Sequence, residues 1–406
     1  MSDLIAMSIT LMAAGLVVYH HVAYPILLSW LANKQPTALP SSEFNHTEQN
    51  ENNRFPHVSV IIPAYNEAQW IREKIYNLAT LDYPADKLFI VIACDGCSDD
   101  TASLARRAFN SEDCAHLRFE IKEFKQNRGK VAVLNECIEQ QHSELVALSD
   151  VSSLISIDAL KIAAKHFANT KVGVVNSHYQ ILSPGSEGED EYWRYQSKVK
   201  LNEAKSGSVL GAHGALYLFR RSLFQPLESD TINDDFVLPV NIVAQGYRAI
   251  HEPHIHALEL EHANISMDHK RRRRIAAGNL QQLLRFRHLL NPKYKGVAFT
   301  FASGKALRVF MPWLMLITLV GSLSLAQDYW LFALLSLSQL AVYAIALFVL
   351  WLNPSFLPRI AKTLAYLVSG YIASLIGSTR YLMGLETGRW QRVDTTNKTT
   401  VKENLQ

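Results

Sequence analysis

Long apolar runs stand at both ends of this 406-residue chain, with a stretch of mixed charge between them. That placement constrains the fold more than the overall hydrophobic content of 49%, which is ordinary. The first run, residues 4–31, exceeds the roughly 20 residues needed to cross a bilayer. It is too long for a signal peptide, lacks a basic start and shows no small-residue cleavage pattern. His20, His21 and Tyr24 within it read as interfacial or helix-contact groups. Three further runs cover residues 307–326, 329–352 and 363–385, separated by Asp328 and by Asn353-Pro354. Arg308, Arg359, Lys362 and Arg380 flank them, and basic residues favour the cytoplasmic side.

The expected layout is therefore a membrane helix over 1–32, a polar linker over 33–55 and a cytoplasmic domain over 56–265. Interface helices over 266–304, membrane helices over 305–386 and a polar tail over 387–406 follow. The predicted setting is a cell plasma membrane crossed several times. One span before the domain and three after it put both termini on the non-cytoplasmic side. Yet the tail carries Arg389, Arg392, Lys398 and Lys402. One apolar run is thus expected to lie in the interface or to re-enter.

Formal net charge is +3, which gives no bulk reason to expect a nucleic-acid partner. Five consecutive basic residues, Lys270 to Arg274, lead into an amphipathic continuation, and that pattern predicts docking on an anionic membrane surface. The four cysteines, Cys94, Cys97, Cys114 and Cys137, include one Cys-x-x-Cys pair without a partner pair or histidine at zinc spacing. They read as free thiols in a reducing compartment.

The middle block alternates apolar runs with helical periodicity. Strands are predicted over 57–63, 88–93, 117–121 and 145–148, and helices over 68–79, 101–108 and 130–140. Strands without a polar face imply a mostly parallel sheet covered on both sides, with ligands at the carboxyl ends of its strands. Asn66, Glu67, Asp95, Asp99 and Asp150 punctuate those ends. No Gly-x-Gly-x-x-Gly follows the first strand, and Arg128-Gly129-Lys130 lacks the other parts of a P-loop.

Several segments, in order, carry a resemblance. Ser59-Val-Ile-Ile-Pro-Ala-Tyr-Asn-Glu67 resembles the opening strand and turn of family-2 inverting glycosyltransferases. Ala93-Cys-Asp-Gly-Cys-Ser-Asp-Asp-Thr101 is similar to their Asp-Gly-Ser-x-Asp-x-Thr segment, and Arg128-Gly-Lys130 to their basic turn. Leu148-Ser-Asp-Val-Ser152 falls where they carry Asp-x-Asp, and Asn233-Asp-Asp-Phe236 where they carry an acidic pair. Gly211-Ala-His-Gly-Ala215 resembles their acceptor-side turn. Arg271-Arg-Arg-Arg-Ile275 occupies the place of Gln-x-x-Arg-Trp in the membrane-bound polysaccharide synthases, with isoleucine where they have tryptophan. Together these cover about residues 55–312.

The resemblance implies a GT-A-like α/β fold, interface helices and about four transmembrane helices. It implies inverting transfer from a nucleotide sugar, most plausibly a UDP-sugar, to a lipid-linked saccharide or growing polysaccharide in envelope or exopolysaccharide synthesis. Two competitors stand beside it: a polyprenyl-phosphate or lipid glycosyltransferase, and a non-catalytic nucleotide-binding subunit of a synthase. Donor contacts are expected from Pro63, Tyr65, Glu67, Asp95, Lys130, Ser149 and Arg274. Asp95 would accept the base imide hydrogen, and Lys130 would neutralise phosphate near a helix start. Glu67 either contacts the nucleoside or caps the first helix. Asp99 and Asp158 read as helix caps. Asp150, with Ser152 in place of a second aspartate, would hold Mg2+ or Mn2+ against the diphosphate. Asp235 is the expected catalytic base, with Asp234 raising its pKa. Gly211, His213 and Gly214 mark the acceptor side; His213 either touches the acceptor or is merely tolerated there. Tyr192, Trp193 and Tyr195 offer a sugar-stacking face or simply core.

Overall fold

The computed structural model describes residues 2–34, 55–183, 187–261, 265–352 and 357–386. Most of the expected linker, the Asn353-Pro354 turn and the basic tail lie outside these residues. The apolar runs of the middle block pair as predicted. β1 (Val58–Ala64) is buried along its whole length and pairs in parallel with β2 (Leu88–Asp95) on one side and β4 (Leu145–Leu148) on the other. β3 (Phe119–Phe124) extends β2 in parallel. It starts two residues later than the sequence pattern predicts. Leu117 is spent closing a turn, its N–H donating to the Cys114 carbonyl at 3.0 Å, and Phe119 begins the strand stacked 4.0 Å from Phe109. As an edge strand, β3 is only half covered.

Helices α3 (Ile71–Ala79), α4 (Thr101–Phe109) and α5 (Lys130–Glu139) connect these strands. Beyond β4 the sheet becomes mixed, with β5 (Ser153–Ile155), β6 (Val172–Ile181), β7 (Tyr217–Arg220) and β8 (Arg248–Glu259). The strand order is β3-β2-β1-β4-β7-β6-β8-β5. β7 runs antiparallel to both β4 and β6. Side chains alternate between two cores, as a pleated strand requires. Val60, Ile62, Ile90 and Ile92 pack toward α3, α4 and α6 (Ala159–Phe167). Ile61, Val91, Val146 and Phe219 pack toward α5, α8 (Asp234–Ala244) and α9 (Ile265–Arg285).

The apolar ends form long helices. α1 (Ser2–Val18) and α2 (Tyr24–Lys34) join through a π-helical turn at Tyr19–Ala23. α7 (Glu187–Ser206) lies between the sheet and these helices. α10 (Gly296–Thr300), a second π-helical turn and α11 (Leu307–Leu325) form another long rod, followed by α12 (Trp330–Leu352) and α13 (Arg359–Leu382). Four stretches, Asp3–Lys34, Gly296–Leu325, Trp330–Leu352 and Arg359–Leu382, are long and apolar enough to cross a membrane. Trp330 and Trp351 stand exposed near the two ends of α12, the level that amphipathic aromatics take at bilayer interfaces.

α13 differs from the other three. It packs along α9 and α7 over most of its length. A Cβ on Gly188, in the first turn of α7, would lie 2.7 Å from the Lys362 carbonyl. Near the other end, a Cβ on Gly377 would run into the Arg273 carbonyl of α9. Between them, Arg272 donates to Ser369 Oγ at 3.0 Å and lies 3.9 Å from the Tyr366 ring centre. Just past α13, Glu386 pairs with Arg273 at 3.0 Å.

The contact between α1 and α11 rests on small residues, as helix packing in lipid favours. Gly321 sits directly against Thr10, so any Cβ there collides with the Thr10 hydroxyl. Gly321→Leu is expected to push the two helices apart and lower the melting temperature of the detergent-solubilised protein by several degrees, through overpacking of about 1–3 kcal/mol. A melt that does not move would show that α1 and α11 do not bear on each other.

Candidate active site

The parallel half of the sheet places a crevice at the carboxyl ends of β1 and β4, where strand order reverses. The turn after β4 supplies its floor. The Ser149 N–H donates to the Ile61 carbonyl at 3.2 Å and the Asp150 N–H to the Gly214 carbonyl at 3.0 Å. Ser149 Oγ donates to the Ala215 carbonyl at 2.5 Å and accepts from Lys74 Nζ at 2.6 Å. Lys74 also donates to the Ser153 carbonyl at 2.5 Å, so one buried lysine braces both sides of the aspartate. Burial draws its ammonium down to about 7, against the pull of Asp150 and Glu259. Asp150 then turns its carboxylate outward over Gly214. A Cβ on that glycine would come within 2.6 Å of Asp150 Oδ2, which is why a glycine must stand there.

Lys130 opens α5 and faces this carboxylate. Its Nζ is 3.0 Å from Asp150 Oδ1 and 3.4 Å from Asp234 Oδ2. Burial pulls the ammonium down, but Asp150, Asp234 and Asp235 together hold it above the usual lysine range. Burial likewise pushes Asp150 up, and Lys130 more than offsets it, leaving Asp150 below the usual carboxylate range. Asp234 and Asp235 form the first turn of α8, where the exposed amides favour negative charge. Asp235 is raised to about 6, first by burial and then by Asp234, with Lys130 opposing. Asp150 and Asp235 are thus shifted in opposite directions.

α9 fixes the approach to that acidic pair. Gln281 accepts from the Ile232 N–H at 3.0 Å and donates to the Asp230 carbonyl at 2.8 Å. Arg285 pairs with Asp230 and donates to Thr231 Oγ at 2.7 Å. Asn233 donates to the Ile275 carbonyl at 3.2 Å, and its amide fills the space beside Gly278, where a Cβ would collide. On the other flank, His213 is 9% exposed and stacks on Tyr179 with ring centres 3.6 Å apart. Trp193 meets it edge-on at 5.3 Å. His213 Nδ1 accepts from the Ala215 N–H at 3.1 Å. Burial, then Arg271, keeps the ring well below its ordinary pKa, so it is neutral with its proton on Nε2.

These groups line one hollow of about 1870 Å3. Of the expected residues it brings together Pro63, Glu67, Lys130, Asp150, Ser152, His213, Gly214, Asp234, Asp235 and Arg274. Tyr192, Trp193 and Tyr195 also line it. Tyr65, Ser149 and Gly211 do not line it. Ser149 is consumed in the brace, and Gly211, at φ +87°, packs on the Phe236 ring. Asp95 is a correction. It is fully buried, and its carboxylate accepts from the Arg128 N–H at 2.9 Å and the Gly129 N–H at 2.8 Å. It faces inward and holds the turn that delivers Lys130, so it has no free edge for a base. Glu67 serves the first helix through its backbone carbonyl, which accepts from Trp70 and Ile71, while its side chain reaches the hollow. Asp99 accepts from Thr101 N at 3.0 Å and from Ala68 N at 3.1 Å, tying two helix starts together. Asp158 precedes α6 without a side-chain cap bond. The four cysteines are free thiols.

Sequence reasoning passed over Lys74, Gln281 and Arg285. For Lys74 the sequence does display a sign: it falls on the buried stripe Ile71, Ile75, Leu78 of α3, where a lysine has no ordinary place.

Among the described residues no three His, Cys, Asp or Glu side chains are grouped to hold a metal by themselves. Asp150 and Ser152 nevertheless fit a hard cation of the Mg2+ or Mn2+ kind. Such an ion takes one or two carboxylates and fills its shell from phosphate oxygens and water. The ionised, outward Asp150 carboxylate is a suitable anchor, already neighbouring a cation in Lys130.

A parallel half-sheet joined to an antiparallel one, with an acidic turn at the switch and an acid pair on a facing helix, defines a GT-A type glycosyltransferase fold. Residues 59–227 match the domain model Glycosyl transferase family 2. A mannosyltransferase of Pyrobaculum calidifontis, solved with GDP-Man and Mn2+, superposes with a TM-score of 0.67 at 25% identity, covering 90% of this chain and 99% of that one. The poly-beta-1,6-N-acetyl-D-glucosamine synthase of Staphylococcus epidermidis is 26% identical over 275 residues, 64% of this chain and 65% of that protein. Its Staphylococcus aureus counterpart is 27% identical over 236 residues, 56% of each. The chain thus spans less than two thirds of the length of these curated relatives. A divalent metal accompanies the fold in the mannosyltransferase.

Replacing Lys74 by methionine removes the donor to the Ser153 carbonyl and one of the two bonds of the Ser149 hydroxyl, which keeps its bond to Ala215. At roughly 1–3 kcal/mol for an unsatisfied buried group, a stability loss of about 1–3 kcal/mol is expected in thermal melts. An unchanged melt would mean that the lysine is not a brace.

Proposed function

We propose that this protein transfers a sugar, with inversion, from a nucleotide-diphosphate donor to a hydroxyl of a lipid-linked saccharide or growing polysaccharide. The observation that carries this reading is the Lys130 ammonium between Asp150 and Asp234, with the less acidic Asp235 beside them on the wall of the same hollow. Lys130 and Arg274 meet the donor phosphates. Asp150 and Ser152 would hold Mg2+ or Mn2+, which would supply positive charge against the leaving diphosphate. Asp235, ionised, takes the acceptor proton as the hydroxyl oxygen bonds to the anomeric carbon. The bond from that carbon to the diphosphate oxygen breaks, and a nucleoside diphosphate leaves. His213 and Trp193, with Tyr179 stacked behind the histidine, give the acceptor sugar an aromatic wall.

The donor is a UDP-sugar in this reading, in keeping with the N-acetylglucosamine polymer named for the staphylococcal relatives. The catalytic domain is the block over 56–265, on the cytoplasmic side of a plasma membrane crossed several times. α13 lies along the membrane surface rather than across it, because its two ends touch the first turn of α7 and the basic part of α9. Three crossings then remain, and an odd number leaves the basic tail on the cytoplasmic side, as the positive-inside rule favours. The role is a step of exopolysaccharide or envelope glycan synthesis.

Asp235→Asn should abolish transfer while leaving nucleotide binding within a few-fold of wild type. With Asp235 intact, the transfer rate should rise with pH through about 6, because the base must be ionised. Surviving transfer in the variant would remove Asp235 from the chemistry. Separately, fusions placed after the last residue test the topology. Green fluorescent protein should fluoresce and alkaline phosphatase should stay inactive; an active phosphatase would put α13 across the bilayer.

A further inference from the structure

The hollow continues past the acid pair toward the membrane helices, and there its wall changes chemistry. Tyr192, Gln196, Lys200 and Glu203 follow one another at three- and four-residue spacing on α7, so they share one face. Opposite stand Tyr24 of α2, Lys305 of the π-helical turn and Arg308 of α11. Lys200, Lys305 and Arg308 form no hydrogen bond and no ion pair with any described residue. Two neutral donors beside them are equally unspent. The Tyr24 hydroxyl, on a residue 3% exposed, has no partner, and neither has Gln196 Nε2, on a residue 7% exposed. Tyr24 is accommodated because Gly304 faces its hydroxyl.

Lys200, Lys305 and Arg308 are half-buried around these two buried donors, and donors kept from water without acceptors are costly unless something supplies the missing oxygens. Glu203 does not do so. It is 1% exposed and too far to pair, with its Oε2 itself unpartnered, and three cations against one carboxylate leave the pocket positive. Burial first, and then Lys305, draws Lys200 down to about 8, as expected for a cation lacking a counter-ion.

We propose that this membrane-side end of the hollow binds the phosphate group of a lipid-linked acceptor, with Lys200, Lys305, Arg308, Tyr24 and Gln196 as its donors. The proposal rests on the transferase reading and supplies its acceptor with a headgroup. Arg308 and Lys305 sit on a helix rod that enters the apolar layer, so a phosphate held here keeps its chain in the bilayer and turns its sugar toward Asp235. Free inorganic phosphate shares the chemistry but lacks the tail.

The test is binding to the full-length protein in detergent, followed by tryptophan fluorescence, with farnesyl phosphate, farnesol, inorganic phosphate and UDP as separate probes. Farnesyl phosphate should bind at least tenfold more tightly than farnesol or inorganic phosphate. The Lys305→Gln/Arg308→Gln double variant should lose that preference while binding UDP within twofold of wild type. Arg308→Lys, which keeps the charge, should retain most of it and so separates lost charge from lost folding. Equal binding of farnesol overturns the phosphate site. Equal binding of inorganic phosphate overturns the lipid source, and an unchanged double variant overturns the residue assignment. Failure of wild type to bind UDP would instead count against the donor reading and leave this site standing.

Discussion

The Lys130 ammonium stands 3.0 Å from Asp150 and 3.4 Å from Asp234, and the rim of the sheet is organised around that bridge. Each partner comes from a different element: the start of α5, the turn after β4 and the first turn of α8. A charge trio in a partly dry crevice holds only if every member is fixed from behind. Asp95 fixes the turn before Lys130, Lys74 fixes the turn around Asp150, and Gln281 with Arg285 fixes the loop before Asp234. The groups that face substrate are few, and the groups that aim them are spread over the whole domain.

Electrostatics then divides labour among similar side chains. Asp150 and Asp235 are both carboxylates at one rim, yet the first is held ionised by Lys130 and the second is pushed up to about 6 by burial and Asp234. On the proposed reading, an anchor for positive charge should stay ionised, whereas a general base must be ionised near neutrality yet basic enough to take up a proton. Direct pairing with Lys130 for one carboxylate, and burial beside a like charge for the other, separate the two behaviours.

Much of this was legible in the chain. Continuous apolar strands announced β1, β2 and β4, and the polar residues at their ends announced the crevice, because a parallel sheet leaves no other place for them. Asp150 and Asp235 could be named because each sits in a recognisable pattern. Asp95 sits in such a pattern too, but a strand-end aspartate looks the same whether it points into a cleft or back into a loop. Its two amide donors, at 128 and 129, are more than thirty residues away. The antiparallel turn of β7 was hidden for a similar reason: its direction is set by pairing with β4 and β6, not by its own four residues. For α13, composition alone says membrane span, and the contacts of Gly188 and Gly377 are what distinguish it.

Because α9 and α13 close over the crevice, its roof is made of helices that lie outside the sheet. Excising the water-soluble portion would therefore deliver an uncovered bench, still able to grip a nucleotide through Lys130 but with its far wall missing. Sugar chemistry in such a fragment would have to compete with bulk water, and hydrolysis of the donor would replace productive coupling. On the proposed reading, the helices that flank the sheet would be part of the catalyst and not only its tether.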